Sequence, residues 1–300
     1  MTRVSVIIPT HGRRQALREC LESIMVDIFT SPSVQLGAGD GIQVEVIVVD
    51  DGGNPPAEVP TGVTLIRQLH QGAAAARNRG VQHSTGDIVV FLDDDSKIPK
   101  GWFVHGVTWL TNRPNLHGMA GAVTNPRNSG PAAVINQAII DEFRRQSLME
   151  NKRVPFSTTN NLWIRQSAVK QGLWFDERFP AAGGEDRAYL LLAERLGMDI
   201  GLNFDLPVTH LHPETFRGFV RQQAQYGRGA QLVRRYCTGG NVEFSPPTVA
   251  TMLARVVLHH PEHIHWLALS QLAVMWGRVC ESTSPTRLPQ PVTSRSSKVR

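Results

Sequence analysis

The chain has 300 residues, 41% hydrophobic and 19% charged, with a formal net charge of +5. That balance excludes a disordered or fibrous chain and suits one large α/β domain with an appendage, or two domains. Cys20, Cys237 and Cys280 are far apart, odd in number and without metal-ligand spacing, which excludes a disulfide framework and predicts a reducing compartment.

The N-terminus runs directly into Val4-Ser5-Val6-Ile7-Ile8, too short for the apolar core of a secretory signal. No run reaches the roughly 18 apolar residues that suggest a membrane span. A cytoplasmic protein is expected. The charge is uneven: residues 1–200 hold 20 Lys+Arg and 21 Asp+Glu, residues 201–300 hold 11 and 5. A basic C-terminal third suits an anionic surface or substrate, or serves solubility alone.

In chain order, Val4–Ile8 reads as a buried strand, and Leu17, Cys20, Leu21 and Ile24 recur at helical spacing over residues 13–25. Asp27–Gln43 has loop composition and reads as a surface insertion. Val44–Val49 is a second buried strand, Val63–Ile66 a weaker third and Ile88–Leu92 a fourth, with the Ala-rich helix Gly72–Val81 between the last two. Gly118–Val123 and Asn160–Arg165 can be strands, Pro126–Pro131 a loop, Glu185–Leu196 a helix and Pro207-Val208 a strand. Alternating strands and helices predict a largely parallel, doubly wound α/β layer, in which ligands bind beyond the carboxyl ends of the strands.

Those strand ends are polar. Asp93-Asp94-Asp95 follows the fourth strand. Its Asp-x-Asp spacing lets two carboxylates reach one Mg²⁺ or Mn²⁺, which would bridge them to a diphosphate; an acidic turn is the competing reading. Asp50-Asp51 follows the second strand and can accept hydrogen bonds from a nucleobase or ribose, or simply form an Asp-Gly turn. Gly72 to Asn78 opens a helix with residues small enough for close approach, and Arg77 there can meet a base or phosphate, unless the segment serves helix packing. Gly183-Gly184-Glu185-Asp186 precedes a helix. Its acids can cap that helix, or Asp186 can act as a general base toward a sugar hydroxyl, with the glycines admitting the acceptor. In His210-Leu211-His212 alternate residues share a face, so either imidazole can complete a metal site or be structural.

The ordered set Val4 to Thr10, Val46 to Gly52, Gly72 to Gly80 with Ala76-Arg77-Asn78, Phe91 to Asp95, Asn160 to Arg165 and Gly184-Glu185-Asp186 resembles the family 2 inverting glycosyltransferases of the GT-A fold, over roughly residues 3–230. The resemblance implies a GT-A catalytic domain over 1–213, with a nucleotide half to about residue 115 and an acceptor half from about 116. Pro9, Thr10, Asp50, Asp51 and Arg77 would line the nucleotide pocket with Asp93 and Asp94. Asp93 would lie nearer the ribose and Asp95 on the divalent cation, with His210 or His212 completing that site. Asp186 would be the base, Glu185 its acceptor-side neighbour, and Asn160, Asn161 and Gly184 would line the sugar or acceptor pocket. The implied reaction is transfer from a nucleoside-diphosphate sugar, with uridine the expected base, to a saccharide or lipid-linked acceptor. Gly53 stands where Ser is usual, and the 27–43 insertion is unusual; both bear on specificity.

Residues 214–281 are predicted to be helical: one long helix over 214–236, then Thr248–His260 and Glu262–Cys280, before a disordered tail over 282–300. At about 100° per residue, Arg217, Arg221, Arg228 and Arg235 fall within roughly 40° of one another. The last helix carries Trp266 and Trp276. The region either docks peripherally on a membrane, caps the catalytic domain or forms a homodimer contact. A sugar-phosphate nucleotidyltransferase is the alternative enzyme, but Pro9-Thr10-His11-Gly12-Arg13 is a poor phosphate loop. Nucleic acid is not an expected partner, since no recognised motif accompanies the charge.

Overall fold

The computed structural model describes residues 1–126, 129–179, 183–210, 215–237 and 245–283. Its centre is a curled mixed sheet. Strands β1 (Thr2–Thr10), β3 (Ile42–Asp51) and β5 (Ile88–Phe91) lie parallel, with β1 in the middle, and β4 (Val63–Gln68) extends the sheet from β3. Beyond β5 come β8 (Leu162–Arg165) and β7 (Gly118–Thr124), each antiparallel to its predecessor, and then β9 (Ile200–His210), parallel to β7. The mostly parallel α/β arrangement expected from the sequence is present.

The central strands β1, β3 and β5 carry continuous apolar runs because both sheet faces are covered there. Val4, Val6 and Ile8 point with Val46, Val48 and Val90 into a core closed by Leu17, Leu21 and Ile24 of α1 (Arg14–Thr30) and by Trp102 and Phe103 of α3 (Trp102–Thr111). Ile7, Val89 and Phe91 point the other way, toward Ala74 of α2 (Ala73–His83) and Tyr189 and Leu190 of α6 (Glu185–Arg195). Each fully buried Ile, Leu or Phe contributes about 1.5–3 kcal/mol, so this alternation sets the register firmly.

The 27–43 segment departs from expectation. Helix α1 continues to Thr30, and Val34–Leu36 forms an edge strand, β2, parallel to β3. Asp27 is buried and accepts hydrogen bonds from the backbone N–H groups of Gly101 and Phe103 at the start of α3. That acid therefore serves an orphaned helix N-terminus, and the loop character is confined to Ser31-Pro32-Ser33 and residues 37–41.

Helix α4 (Pro131–Met149) crosses to the C-terminal helices α7 (Phe216–Tyr236), α8 (Pro246–His259) and α9 (Ile264–Thr283). Ile135 of α4 packs with Val256 and Leu267. Buried Gln223 of α7 donates to Asn136 Oδ1 at 3.0 Å and accepts from Ser270 Oγ at 2.8 Å, joining three helices. Helices α7 and α9 touch backbone to backbone, since a Cβ at Gly227 or Gly277 would collide with the carbonyl of Val274 or Ala224. The expected tail lies outside the described residues from Ser284 onward.

Candidate active site

The acidic cluster forms because β5 ends at Phe91 and the chain turns straight into Asp93. Ser96–Lys97 (β6) then pairs antiparallel with the end of β9, placing Ser96 opposite His210. One carboxylate oxygen each of Asp93 and Asp95 and one ring nitrogen of His210 lie within 4.8 Å of one another. His210 Nε2 is 2.9 Å from Asp95 Oδ1. Two carboxylates and an imidazole are a donor set for a hard or borderline divalent cation, leaving room for diphosphate oxygens or water to complete the shell. The residues therefore fit such an ion. His212 lies outside the described residues.

Electrostatics distinguish the three acids. Burial alone would raise the Asp95 pKa, but His210 and Arg13 outweigh it and hold the carboxyl down at about 2. Burial lowers the His210 pKa, and Asp95 more than reverses this. Asp94 is fully buried, accepts from Thr10 Oγ1 at 2.6 Å and pairs with Arg13 at 2.6 Å. Burial pushes Asp94 up to about 7, with its acidic neighbours adding to the effect and Arg13 opposing it. Thr10 and Asp94 thus brace the loop from behind, with Pro9 buried beside them.

Arg77, on α2, links this cluster to the second acidic motif. Its guanidinium lies 2.8 Å from Asp93 and 3.1 Å from Glu185, over the ring of Phe175 at 5.4 Å, and is almost wholly buried. Glu185 also accepts from Gly183 N at 2.6 Å. Asp186, by contrast, accepts only from the adjacent Arg187 N at 2.7 Å among the described residues. Burial, then the Glu185 charge, pushes Asp186 up to about 7, against the pull of Arg77. Gly183 and Gly184 have φ of 124° and 96°, and a Cβ on Gly184 would meet Gly229 O of α7 at 2.8 Å. Both positions therefore require glycine.

Asp50 and Asp51 sit at the end of β3 with their carboxylates turned inward. Asp50 accepts from Gly53 N at 2.8 Å and Ala57 N at 3.0 Å; Asp51 accepts from Gln71 N and Gly72 N, each at 2.8 Å, and from Gln68 Nε2 at 2.8 Å. What this rim presents outward is the exposed ring pair of His11 and His70, with centroids 4.4 Å apart. Asn161 is fully buried and bonds Ala122 O at 2.9 Å, Leu206 O at 2.7 Å and Trp163 Nε1 at 3.2 Å, a brace between β7, β8 and β9. Asn160 accepts from Thr158 Oγ1 at 2.5 Å.

The site thus gathers Arg77, Asp93, Asp95, Glu185, Asp186 and His210. Sequence reasoning missed Arg13, His11, His70 and Tyr226. Arg13 closes the strand-end run Pro9 to Arg13 and was visible only as part of it. Tyr226, on α7, hydrogen-bonds Asn136, lies against Gly183 and has its pKa raised by burial, then by Asp186 and Glu185. Forty residues separate it from Asp186 in the sequence, and no local pattern announces the meeting.

A family profile described as "Glycosyl transferase family 2" matches residues 5–173. Glycosyltransferase AglE of Haloferax volcanii is 27% identical over 237 residues, 75% of this chain and 72% of that protein. Several other glycosyltransferases are matched over less than half of their own length. Among solved structures, the mannosyltransferase PcManGT of Pyrobaculum calidifontis, in complex with GDP-Man and Mn²⁺, superimposes with a TM-score of 0.55 at 18% identity, over 95% of this chain and 76% of that one. TarS 1–349 of S. aureus in complex with UDP gives 0.51 at 15% identity, over 94% and 91%. These likenesses establish the GT-A fold. The profile spans more than half of the chain, from the first strand past β8, and with it the chain belongs to glycosyl transferase family 2.

Proposed function

We propose that the protein transfers a sugar from a nucleoside-diphosphate sugar to a hydroxyl of a saccharide or lipid-linked acceptor, inverting the anomeric centre, with Asp186 as base. The observation that carries the proposal is the chain of contacts from Asp95 and His210 through Asp93 and Arg77 to Glu185, beside which the Asp186 carboxylate is hydrogen-bonded only to the adjacent Arg187 N among the described residues. Asp95, Asp93 and His210 would hold a Mg²⁺ or Mn²⁺ ion, which when bound neutralises charge on the diphosphate leaving group.

Arg77 fixes Asp93 and Glu185 in place, so the donor side and the acceptor side keep one spacing. Glu185 is committed to Arg77 and Gly183, which leaves Asp186 to take the proton. The acceptor oxygen attacks the anomeric carbon as its proton passes to Asp186, and the bond from that carbon to the diphosphate oxygen breaks on the opposite side. A sugar hydroxyl is too weak an acid to ionise first, so a carboxylate pushed toward neutral pH suits the task. His11 and His70 offer a ring face to the nucleobase, and Tyr226 with Gly183-Gly184 walls the acceptor side. The solved neighbours of the same fold carry GDP-Man and UDP, and thermal shifts with UDP and GDP will assign the base. Either a membrane surface or a second copy would cover the C-terminal helices; the first is argued below.

The test is Asp186→Asn. Nucleotide binding should persist while sugar transfer is abolished; retained turnover would remove Asp186 as the base.

A further inference from the structure

The outward face of α9 is mostly apolar and bears no Asp, Glu, Lys or Arg, with exposed His265 in its first turn as the one imidazole. Successive helical residues advance by about 100°, so Ile264, Ala268, Leu272, Met275, Trp276 and Val279 share a sector of about 120°. All six are exposed, Leu272, Met275 and Trp276 by 64%, 62% and 66%. Leu267, Ala273 and Gly277 occupy the opposite sector and are buried against the protein. No Asp, Glu, Lys or Arg falls in the exposed sector, although a solvent-facing helix side is ordinarily the polar one. The helix has 20 residues, about 30 Å, yet no helix among the described residues is long and apolar enough to cross a membrane.

The surroundings are basic. Described residues 215–237 and 245–283 contain seven arginines against two glutamates, and one of those, Glu281, is buried and paired with Arg235 at 3.3 Å. Arg217, Arg221, Arg228 and Arg234 of α7, the helix packed along α9, are exposed. The sequence that follows α9, residues 284–300, adds Arg287, Arg295, Lys298 and Arg300 with no acid.

From this we infer that α9 lies in the surface of an anionic bilayer, its uncharged sector among the acyl chains and the arginines at the headgroups. An apolar stripe bearing Trp with flanking positive charge meets both requirements of interfacial binding, hydrophobic insertion and attraction to anionic lipid. A second copy of the chain would explain the apolar sector but leave the basic excess without a counterpart, because two such faces repel. Docking through α9 places the axis of α7, the helix packed against it that carries Tyr226, about 8–10 Å from the axis of α9. Resting on the transfer reading above, that placement makes a lipid-linked acceptor the fitting substrate.

Co-sedimentation of the full chain with vesicles, without any substrate, tests the docking independently of the chemistry. Binding is expected to phosphatidylglycerol-containing vesicles at low salt, with marked loss in high salt and on pure phosphatidylcholine. Leu272→Glu and Trp276→Glu each should reduce it by about tenfold or more. Both side chains face outward, so circular dichroism and Tm should stay at wild-type values. Failure of the wild type to sediment, binding unchanged in both variants, or a stable dimer in solution that Leu272→Glu dissociates without any vesicle binding would overturn the inference.

Discussion

His210 Nε2 lies 2.9 Å from Asp95 Oδ1, although 115 residues separate the two in sequence. The pairing of Ser96 with His210 in the short β6–β9 ladder creates this contact. One ring nitrogen of His210 and one oxygen each of Asp93 and Asp95 lie within reach of a single cation. His210→Ala should therefore weaken Mn²⁺ binding by at least about 10–100-fold, the loss that follows removal of a group that merely orients a ligand, while leaving nucleotide binding without metal little changed. Isothermal titration with Mn²⁺ alone checks this.

The pKa of Asp186 sets a pH profile. Burial, reinforced by Glu185, raises it to about 7, so below that pH the carboxyl holds a proton and cannot accept one. The rate kcat/KM should rise tenfold per pH unit up to about 7 and then level. The sign for stability is the reverse. The folded state binds the proton more tightly than the unfolded chain, so stability falls as pH rises from the unfolded value toward the folded one. Asp186→Asn removes this penalty, and its Tm should exceed wild type at pH 8 and match it near pH 4.

Arg77 is nearly buried between two acids. Arg77→Met leaves Asp93 and Glu185 without their shared cation and should cost about 3–5 kcal/mol in chemical denaturation. Arg77→Lys should fold better but transfer poorly, because one ammonium cannot reproduce the guanidinium fork to both carboxylates. Equal activity of the Lys variant would contradict the positioning role.

Gly229 of α7 lies against the base loop, and a Cβ there would collide with Gly183 O. Gly229→Ala should shift Gly183-Gly184 and lower kcat by about tenfold or more, since small displacements of a reacting group are costly. Gly130→Ala, at a position with open space and ordinary φ, should leave kcat unchanged. Tyr226→Phe should raise the acceptor KM with donor affinity intact.

Strands buried on both faces leave continuous apolar runs, which is why Val4–Ile8, Val44–Val49 and Ile88–Leu92 were legible, and the polar residues at their ends with them. Helix α3 went unread although Trp102, Phe103, Gly106, Val107 and Leu110 recur at helical spacing, because no side-chain cap marks its start and a glycine interrupts its apolar stripe. The three-residue strand β2 is too short to carry an alternation. Sequence names a carboxylate but not its direction. Asp50 and Asp51 face inward onto backbone N–H groups, and Asn161 onto carbonyls, as only long-range pairing reveals.

The central claim is that Asp93, Asp95 and His210 hold one divalent cation against the diphosphate of the donor. The most direct measurement is the Kd of a nucleoside diphosphate, by calorimetry, with and without Mn²⁺, on the wild type and on Asp95→Ala. Wild type should bind about tenfold or more tightly with Mn²⁺, as metal bridging of a diphosphate requires, and the variant should show no metal effect. An undiminished Mn²⁺ effect in Asp95→Ala, or none in the wild type, would contradict the account.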